Sequence, residues 1–240
     1  MNDIPKVHLT DKEKALRSKL TRAARPKLAS TIVLTAGDLS NPKILMGQRA
    51  SRHDFMPSVF VFPGGRVDRA DSYAPYVNDL APRTERILEA AYSPRRARAL
   101  VLASIRETFE ETGLMLGVQK EWTKNLNHDG WDHFRCAGFT PDLSDIDVFG
   151  RAVTPPHRHK RFDTWFFLKH LGENTLPISD SIELLNVDWF TFDQIVDLPT
   201  ARATDMMLQV LKDYLKRPSP ARSIFYSHMV RGAYRQDQYP

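Results

Sequence analysis

Apolar runs of strand length alternate with stretches of helical spacing along this chain. Leu28 to Ala36 contains Thr31-Ile32-Val33-Leu34, bounded by Gly37, and reads as a buried strand. Lys43 to Arg49 carries Ile44, Leu45 and Met46 and reads as the next strand, after a hairpin-like connection over Gly37 to Pro42. Gln48 to Ser58 is a polar loop, and Val59-Phe60-Val61-Phe62 is a strand that runs into Pro63-Gly64-Gly65. Helical spacing takes over at Ser93, a candidate N-cap with Pro94 at the first helical position. Ala97, Leu100, Val101, Ser104, Ile105, Thr108 and Phe109 recur on one face, and Gly113 offers the stop. Phe134 to Thr140 is strand-like, Arg161 to Leu168 is a strong strand, and Val187-Asp188-Trp189-Phe190 is a further one. Thr191 to Val196 reads as a short helix. Ala203 to Lys216 is a longer one, with Met206, Met207, Val210, Leu211 and Tyr214 to one side as core packing. Near the start, residues 8–25 read as a charged helix capped by Thr10 or Asp11, its thin stripe of Ala15, Leu16 and Leu20 laid on the outside of the domain.

Composition narrows the class. A chain of 240 residues buries a core of its own, as one domain or one domain with appendages. No run is long and apolar enough to span a bilayer. Met1 to Lys6 lacks an apolar signal core, and the last residues are not a peroxisomal tripeptide, so the expected location is cytoplasmic. The one cysteine, Cys136, excludes an intrachain disulfide. A net charge of +5 suits an anionic small substrate. It is too diffuse for a dedicated nucleic-acid binder, and no zinc-finger spacing or internal repeat is present. His128, His133, His157 and His159 form no compact zinc ligand set.

The candidate chemistry lies in Arg106-Glu107-Thr108-Phe109-Glu110-Glu111-Thr112-Gly113-Leu114. Glu107, Glu110 and Glu111 stand at i, i+3 and i+4, one face of a helix. Such carboxylates repel one another unless something positive lies among them, and a hard divalent cation answers that need. Arg106 is spaced to pair with Glu110 one turn on. A solvated acidic face is the bland reading of this run taken alone.

The strand, the Gly-Gly turn and then Arg-Glu-x-x-Glu-Glu-x-Gly-Leu resemble the Nudix box, Gly-x5-Glu-x7-Arg-Glu-x2-Glu-Glu-x-Gly followed by an aliphatic residue. Gly65 matches the first glycine, and Arg106, Glu107, Glu110, Glu111, Gly113 and Leu114 match the second half. Two departures stand out. Asp71 occupies the position of the first box glutamate, and residues 69–95 form a long insertion inside the box. The insertion either loops out harmlessly or serves as a lid or partner surface. It resembles a Nudix branch that includes peroxisomal coenzyme A diphosphatases, as does Arg-Phe-Asp-Thr-x-Phe-Phe from Arg161. The upstream signature of coenzyme A-cleaving members fits at Arg49-Ala50 and at Phe62-Pro63-Gly64-Gly65. It fails at Asp54 and Ser58, where that signature has Arg and Gly.

The resemblance implies an α/β/α sandwich with a mixed sheet, of the α/β (α+β) class, over residues 28–217. Residues 1–27 form a helical extension, and 218–240 a tail that docks on the body or on a second subunit as a homodimer. It also implies hydrolysis of a nucleoside diphosphate linked to another group: coenzyme A or acyl-coenzyme A, ADP-ribose, NADH or an oxidised nucleotide. Mg2+ or Mn2+ would be held by Glu107, Glu110, Glu111 and the Gly64 carbonyl. Glu183, with Asp180 in reserve, or a box glutamate such as Glu110 would take the proton, and Arg106 would hold the cluster in place. Arg49, Arg66 and Arg161 would bind the diphosphate, and Phe55 would stack on a base. The rival is a Nudix-fold ligand-sensing or scaffold module.

Overall fold

The computed structural model describes residues 24–51, 57–122, 124–173, 175–216, 223–230 and 233–239. The expected helix over 8–25, with Thr10 and Asp11, lies outside them apart from its last two residues, and so do Asp54 and Phe55. The strands are β1 (Lys27–Ala36), β2 (Lys43–Arg49), β3 (Phe60–Val61), β4 (Gly64–Arg66), β5 (Val118–Gln119), β6 (Phe139–Thr140), β7 (Asp147–Val153), β8 (Phe162–His170), β9 (Leu184–Phe190), β10 (Ile224–Val230) and β11 (Ala233–Tyr239). The helices are α1 (Pro82–Glu89), α2 (Pro94–Thr112), α3 (Asp129–Cys136), α4 (Phe192–Ile195) and α5 (Arg202–Lys216).

Among the described residues, nine strands form one mixed sheet in the order β11-β10-β7-β8-β1-β2-β3, with β4 paired to β1 and β9 to β2. The β1–β8 and β7–β10 pairs are parallel and the rest antiparallel. Alternation along β1 splits the core. Ile32 and Leu34 pack with α1, α2 and α3, while Val33 packs on the other face against Met207, Leu208 and Leu211 of α5. Helices therefore cover both faces of the sheet, the expected α/β/α sandwich.

The helix α2 carries the box. Pro94 opens it, and Gly113 closes it at φ +73°, a left-handed position that glycine adopts without a Cβ penalty. Its predicted inner face is buried from Ala97 to Thr108, with Phe109 half-buried. The short helix α4 starts with a capping box between Thr191 and Gln194.

Three segments differ from the sequence-based expectation. Phe134 to Thr140 is not one strand. Trp131 and Phe134, three residues apart, bury one face of α3, and only Phe139–Thr140 is extended. The insertion does not loop out: Ala74, Leu80, Ile87 and Leu88 lie in the α2-side core. Each of its two large α1 side chains gains about 1.5–3 kcal/mol by that burial. Arg83 pairs with Asp147 at 2.5 Å and donates to the Val148 carbonyl, while Thr84 donates to the Ile146 carbonyl. Finally, the expected tail contributes β10 and β11 to the sheet, so it docks on the body. Arg151 fastens them. Its guanidinium lies over the rings of Trp165, Tyr226 and Tyr239 and makes a two-pronged ion pair with Asp163.

No helix among the described residues is long and apolar enough to cross a membrane.

Candidate active site

The site begins where β4 folds back on β1. Gly64 pairs with Thr31 and Gly65 with Ser30. A Cβ on Gly64 would stand 2.5 Å from the Ser30 carbonyl oxygen, and its φ of +153° lies outside the range that side chains favour. A Cβ on Gly65 would stand 2.4 Å from the Glu107 carboxylate. The two glycines thus let the turn lie directly under the box helix. The Gly64 N–H donates to Glu111 Oε2 at 2.8 Å and ties turn to helix.

Arg106 organises the acids. Its Nε donates to Asp71 Oδ1 at 2.8 Å. One terminal nitrogen donates to Glu107 Oε1 and Glu110 Oε2, at 2.9 and 2.8 Å. The other donates to Asp71 Oδ2 and the Arg66 carbonyl, at 3.1 and 3.0 Å. Every N–H of the guanidinium has an acceptor, as burial of the group demands. The expected pairing with Glu110 is present within this larger network. Asp71 is fully buried on a 3-10 turn over Ala70–Ser72. Besides Arg106 it accepts from Trp131 Nε1 at 2.9 Å and the Asp68 N–H at 2.7 Å. Helix α3 closes the far side: a Cβ on Gly130 would stand 1.9 Å from Glu110 Oε1. Asp71, Trp131 and Gly130 are a supporting layer that the sequence reading missed. The signal available was Asp71 itself, a box position filled by a shorter acid.

Burial is the largest influence on Glu111, and repulsion from Glu107 adds to it. Together they push its pKa up to about 8, against the Gly64 N–H and Arg49, which favour the charged form. Burial likewise pushes Glu107 up to about 7, partly opposed by Arg106. Acids crowded until their charge is disfavoured are what a hard divalent cation relieves, and the donors are all oxygens. The donor chemistry therefore fits Mg2+ or Mn2+. The present side-chain positions form no finished cage. Among the described residues no three His, Cys, Asp or Glu groups converge as ligands, because Glu107 and Glu110 are both turned onto Arg106.

A cavity of about 630 Å³ opens on these groups. It brings together Arg49, Gly64, Arg66, Arg106, Glu107, Glu110, Glu111 and Glu183 from β2, β4, α2 and the start of β9. Glu183 is close enough to Glu111 to raise its pKa. Arg161 is not among the lining residues. Its guanidinium donates to the carbonyls of Thr154 and Ala24, so the expected phosphate clamp is corrected to a strap on the backbone. Arg158 and Arg202 line the cavity instead. Asp180 is turned away, accepting from the N–H groups of Asn186 and Val187. Arg158 was hidden in the basic run from His157 to Arg161, where spacing alone does not say which cation faces inward.

A mixed sheet between helical layers, with a Gly-Gly turn under an Arg-Glu-x-x-Glu-Glu helix, defines the Nudix fold. The chain shares this fold with a solved Nudix hydrolase and is similar in sequence to named ones. Its particular likenesses are as follows. A Nudix hydrolase of known structure from Alicyclobacillus acidocaldarius superposes with a TM-score of 0.62 at 24% identity, over 82% of this chain and 99% of that one. Acyl-coenzyme A diphosphatase NUDT19 of Gallus gallus is 37% identical over 179 residues, covering 52% of this chain and 47% of that protein. Its Homo sapiens counterpart is 27% identical over 230 residues, 69% of this chain and 61% of that protein. The chain thus spans about half to three-fifths of the curated relatives it matches. No protein-family model matches it.

Proposed function

We propose that this chain is a divalent-cation-dependent hydrolase that cleaves the diphosphate bond of a nucleoside diphosphate derivative. The observation that carries the reading is the set of three box glutamates at one end of a large cavity, Glu107 and Glu110 held by a fully satisfied Arg106 and Glu111 by the Gly64 N–H. Glu107, Glu110, Glu111 and the Gly64 carbonyl would hold Mg2+ or Mn2+. Such a cation, when bound, supplies charge neutralisation for the diphosphate and makes water a better nucleophile.

The chain's own groups do the rest. Arg49 and Arg66 bind and orient the diphosphate oxygens. Arg106 touches no substrate and is a positioning residue that fixes the rotamers of Glu107 and Glu110. Glu183, across from Glu111, takes the proton released by the attacking water. The first substrates to try are coenzyme A and acyl-coenzyme A, because the relatives above are named acyl-coenzyme A diphosphatases. ADP-ribose and NADH are next.

One observation favours a second reading, a ligand-binding module without turnover: Arg106 holds two of the box acids, and among the described residues no three acids converge as cation ligands. A screen of Mg2+-dependent hydrolysis over these compounds separates the two, with Glu110→Gln as the blank. Turnover that vanishes in the variant supports the hydrolase. Silence on every compound, with no Mg2+-dependent gain in thermal stability, supports the module.

A further inference from the structure

Glu183 lines the cavity from an exposed position, and among the described residues no hydrogen bond fixes its carboxylate. Its place is set through the backbone instead. The Ser179 N–H donates to the carbonyl of Thr112, the last residue of the box helix α2, at 2.9 Å. A Cβ on Gly113 would stand 2.7 Å from Ser179 Oγ, so the glycine that stops the helix also lets this segment pass. At the other end the Ala50 N–H, just past β2, donates to the Glu183 carbonyl at 3.0 Å. Leu184 is fully buried and seats on Gly47 of β2, where a Cβ would stand 2.4 Å from Leu184 Cγ. The segment from Ser179 to Leu184 therefore bridges the helix that carries the box acids and the strand that ends in Arg49.

Two polar side chains hold the bridge in shape. Ser181 closes the turn that presents Glu183. Its N–H donates to the Leu184 carbonyl at 2.8 Å, and its Oγ accepts from the N–H groups of Glu183 and Leu184, at 3.2 and 3.0 Å. Asp180 closes the next turn, with Oδ2 accepting from the Asn186 N–H at 3.1 Å and Oδ1 from the Val187 N–H at 2.8 Å. Asn186 and Val187 stand opposite Gly47 alone, between the pairs Gln48 with Leu185 and Met46 with Asp188. This is a bulge, and a bulge re-aims the side chains on one side of it relative to the other. Leu184 is thereby turned onto Gly47, and Glu183 is left beside it at the cavity.

We infer that Ser181 is the positioning residue for Glu183, with Asp180 in the same role on the next turn, and that the segment from Ser179 to Leu184 is a strut fixing this acid relative to Glu111 and Arg49. The inference rests on the hydrolase reading for the task of Glu183. A general base works only within hydrogen-bond reach of the proton it takes, and a misplacement of about 1 Å can cost on the order of a hundredfold in rate. With no partner on the carboxylate, the backbone is what keeps that distance. Ser181 touches no substrate and acts through Glu183. A serine that merely stabilised a surface turn would lower stability without changing the chemical step.

The test uses the full chain with Mg2+ and whichever of coenzyme A, acyl-coenzyme A, ADP-ribose and NADH wild type cleaves. Ser181→Ala should lower kcat at least about fivefold and leave KM within about twofold, because Arg49 and Arg66 stay in place. Ser181→Thr keeps the accepting oxygen and should bring kcat back to within about twofold of wild type. The deciding readout is non-additivity. On the residual turnover of Glu183→Gln, a further Ser181→Ala should cost less than about twofold, since the group it positions is already gone. If Ser181→Ala misfolds, Asp180→Ala takes its place with the same expected pattern. Unchanged kcat in Ser181→Ala, an equal fold loss with and without Glu183→Gln, or wild-type turnover by Glu183→Gln itself overturns the inference alone. No turnover by wild type on any of the four compounds overturns the hydrolase reading and the inference with it.

Discussion

Asp71 offers the sharpest test of how the box is held. The perturbation is Asp71→Asn, which keeps the shape and removes the charge. Asp71 has no exposed surface and accepts from Arg106 twice, from Trp131 and from the Asp68 N–H. An asparagine oxygen in place of Oδ1 would keep Arg106 Nε and Trp131. Its amide group in place of Oδ2 would then face two donors, Arg106 and the Asp68 N–H, and satisfy neither. Removing one partner of a buried ion pair costs roughly 3–5 kcal/mol. Arg106 retains Glu107 and Glu110, so the lower end applies, about 3 kcal/mol. For a chain of this size that lowers Tm by about 6–12 °C. Trp131→Phe, which removes one donor and leaves Asp71 its other three, should cost only about 1 kcal/mol of hydrogen bonding. Urea unfolding and scanning calorimetry of the two variants read this order directly. An Asp71→Asn protein within about 1 kcal/mol of wild type would refute the reasoning, because Asp71 would then not anchor Arg106.

Further outcomes are expected. Gly65→Ala should fold, since its Cβ meets the movable end of Glu107, but should lose at least about tenfold in turnover by displacing that carboxylate; unchanged turnover with Mg2+ would detach Glu107 from the reaction. In the cation-free protein, Glu111 and Glu107 titrate near pH 8 and 7, above the ordinary value of 4.5, so the folded state holds protons that the unfolded chain gives up. Their stabilising contribution is complete below about pH 4.5 and is lost as pH rises through 7 and 8. Calorimetry in chelator should accordingly show Tm falling over that upper range, with a flatter slope in Glu111→Gln; a Tm that rises there would count against the crowded-acid picture. Deleting residues 72–92 should yield aggregated protein, because Ile87 and Leu88 are core residues; a soluble, cooperatively unfolding product would show the insertion to be dispensable.

What the sequence made legible was local. The strands around Ile32 and Ile44, the box helix with its glycine stop, and the i, i+3, i+4 acids all follow from periodicity and spacing. The cavity is lined by the box glutamates, Gly64, Arg49, Arg66 and Glu183 together. The missed features depend on contacts between distant segments. Trp131 reaches Asp71 across 60 positions, and Gly130 abuts Glu110 from a helix, Asp129–Cys136, whose last residues from Phe134 read as the start of a strand. Arg161 and Arg158 are three residues apart in one basic run, and only the tertiary path of that run decides which faces the cavity. The tail's polar residues concealed β11, because an edge strand with one wet face need not read as apolar.

The two departures from the box pattern are physically one feature. The insertion opens with the 3-10 turn that carries Asp71, and this turn brings the shorter acid within 2.8 Å of Arg106. Downstream, Ile87 and Leu88 fasten the inserted helix to the α2-side core, so the turn is held between β4 and α1 rather than left at the head of a free loop. Trp131 then fills the space beside the carboxylate and supplies a donor to it. A glutamate at position 71 would bring one more methylene into a site with no free surface, at an overpacking cost of about 1–3 kcal/mol. The aspartate is therefore the side chain that fits this insertion, and its presence is no sign that the box has lost its anchor.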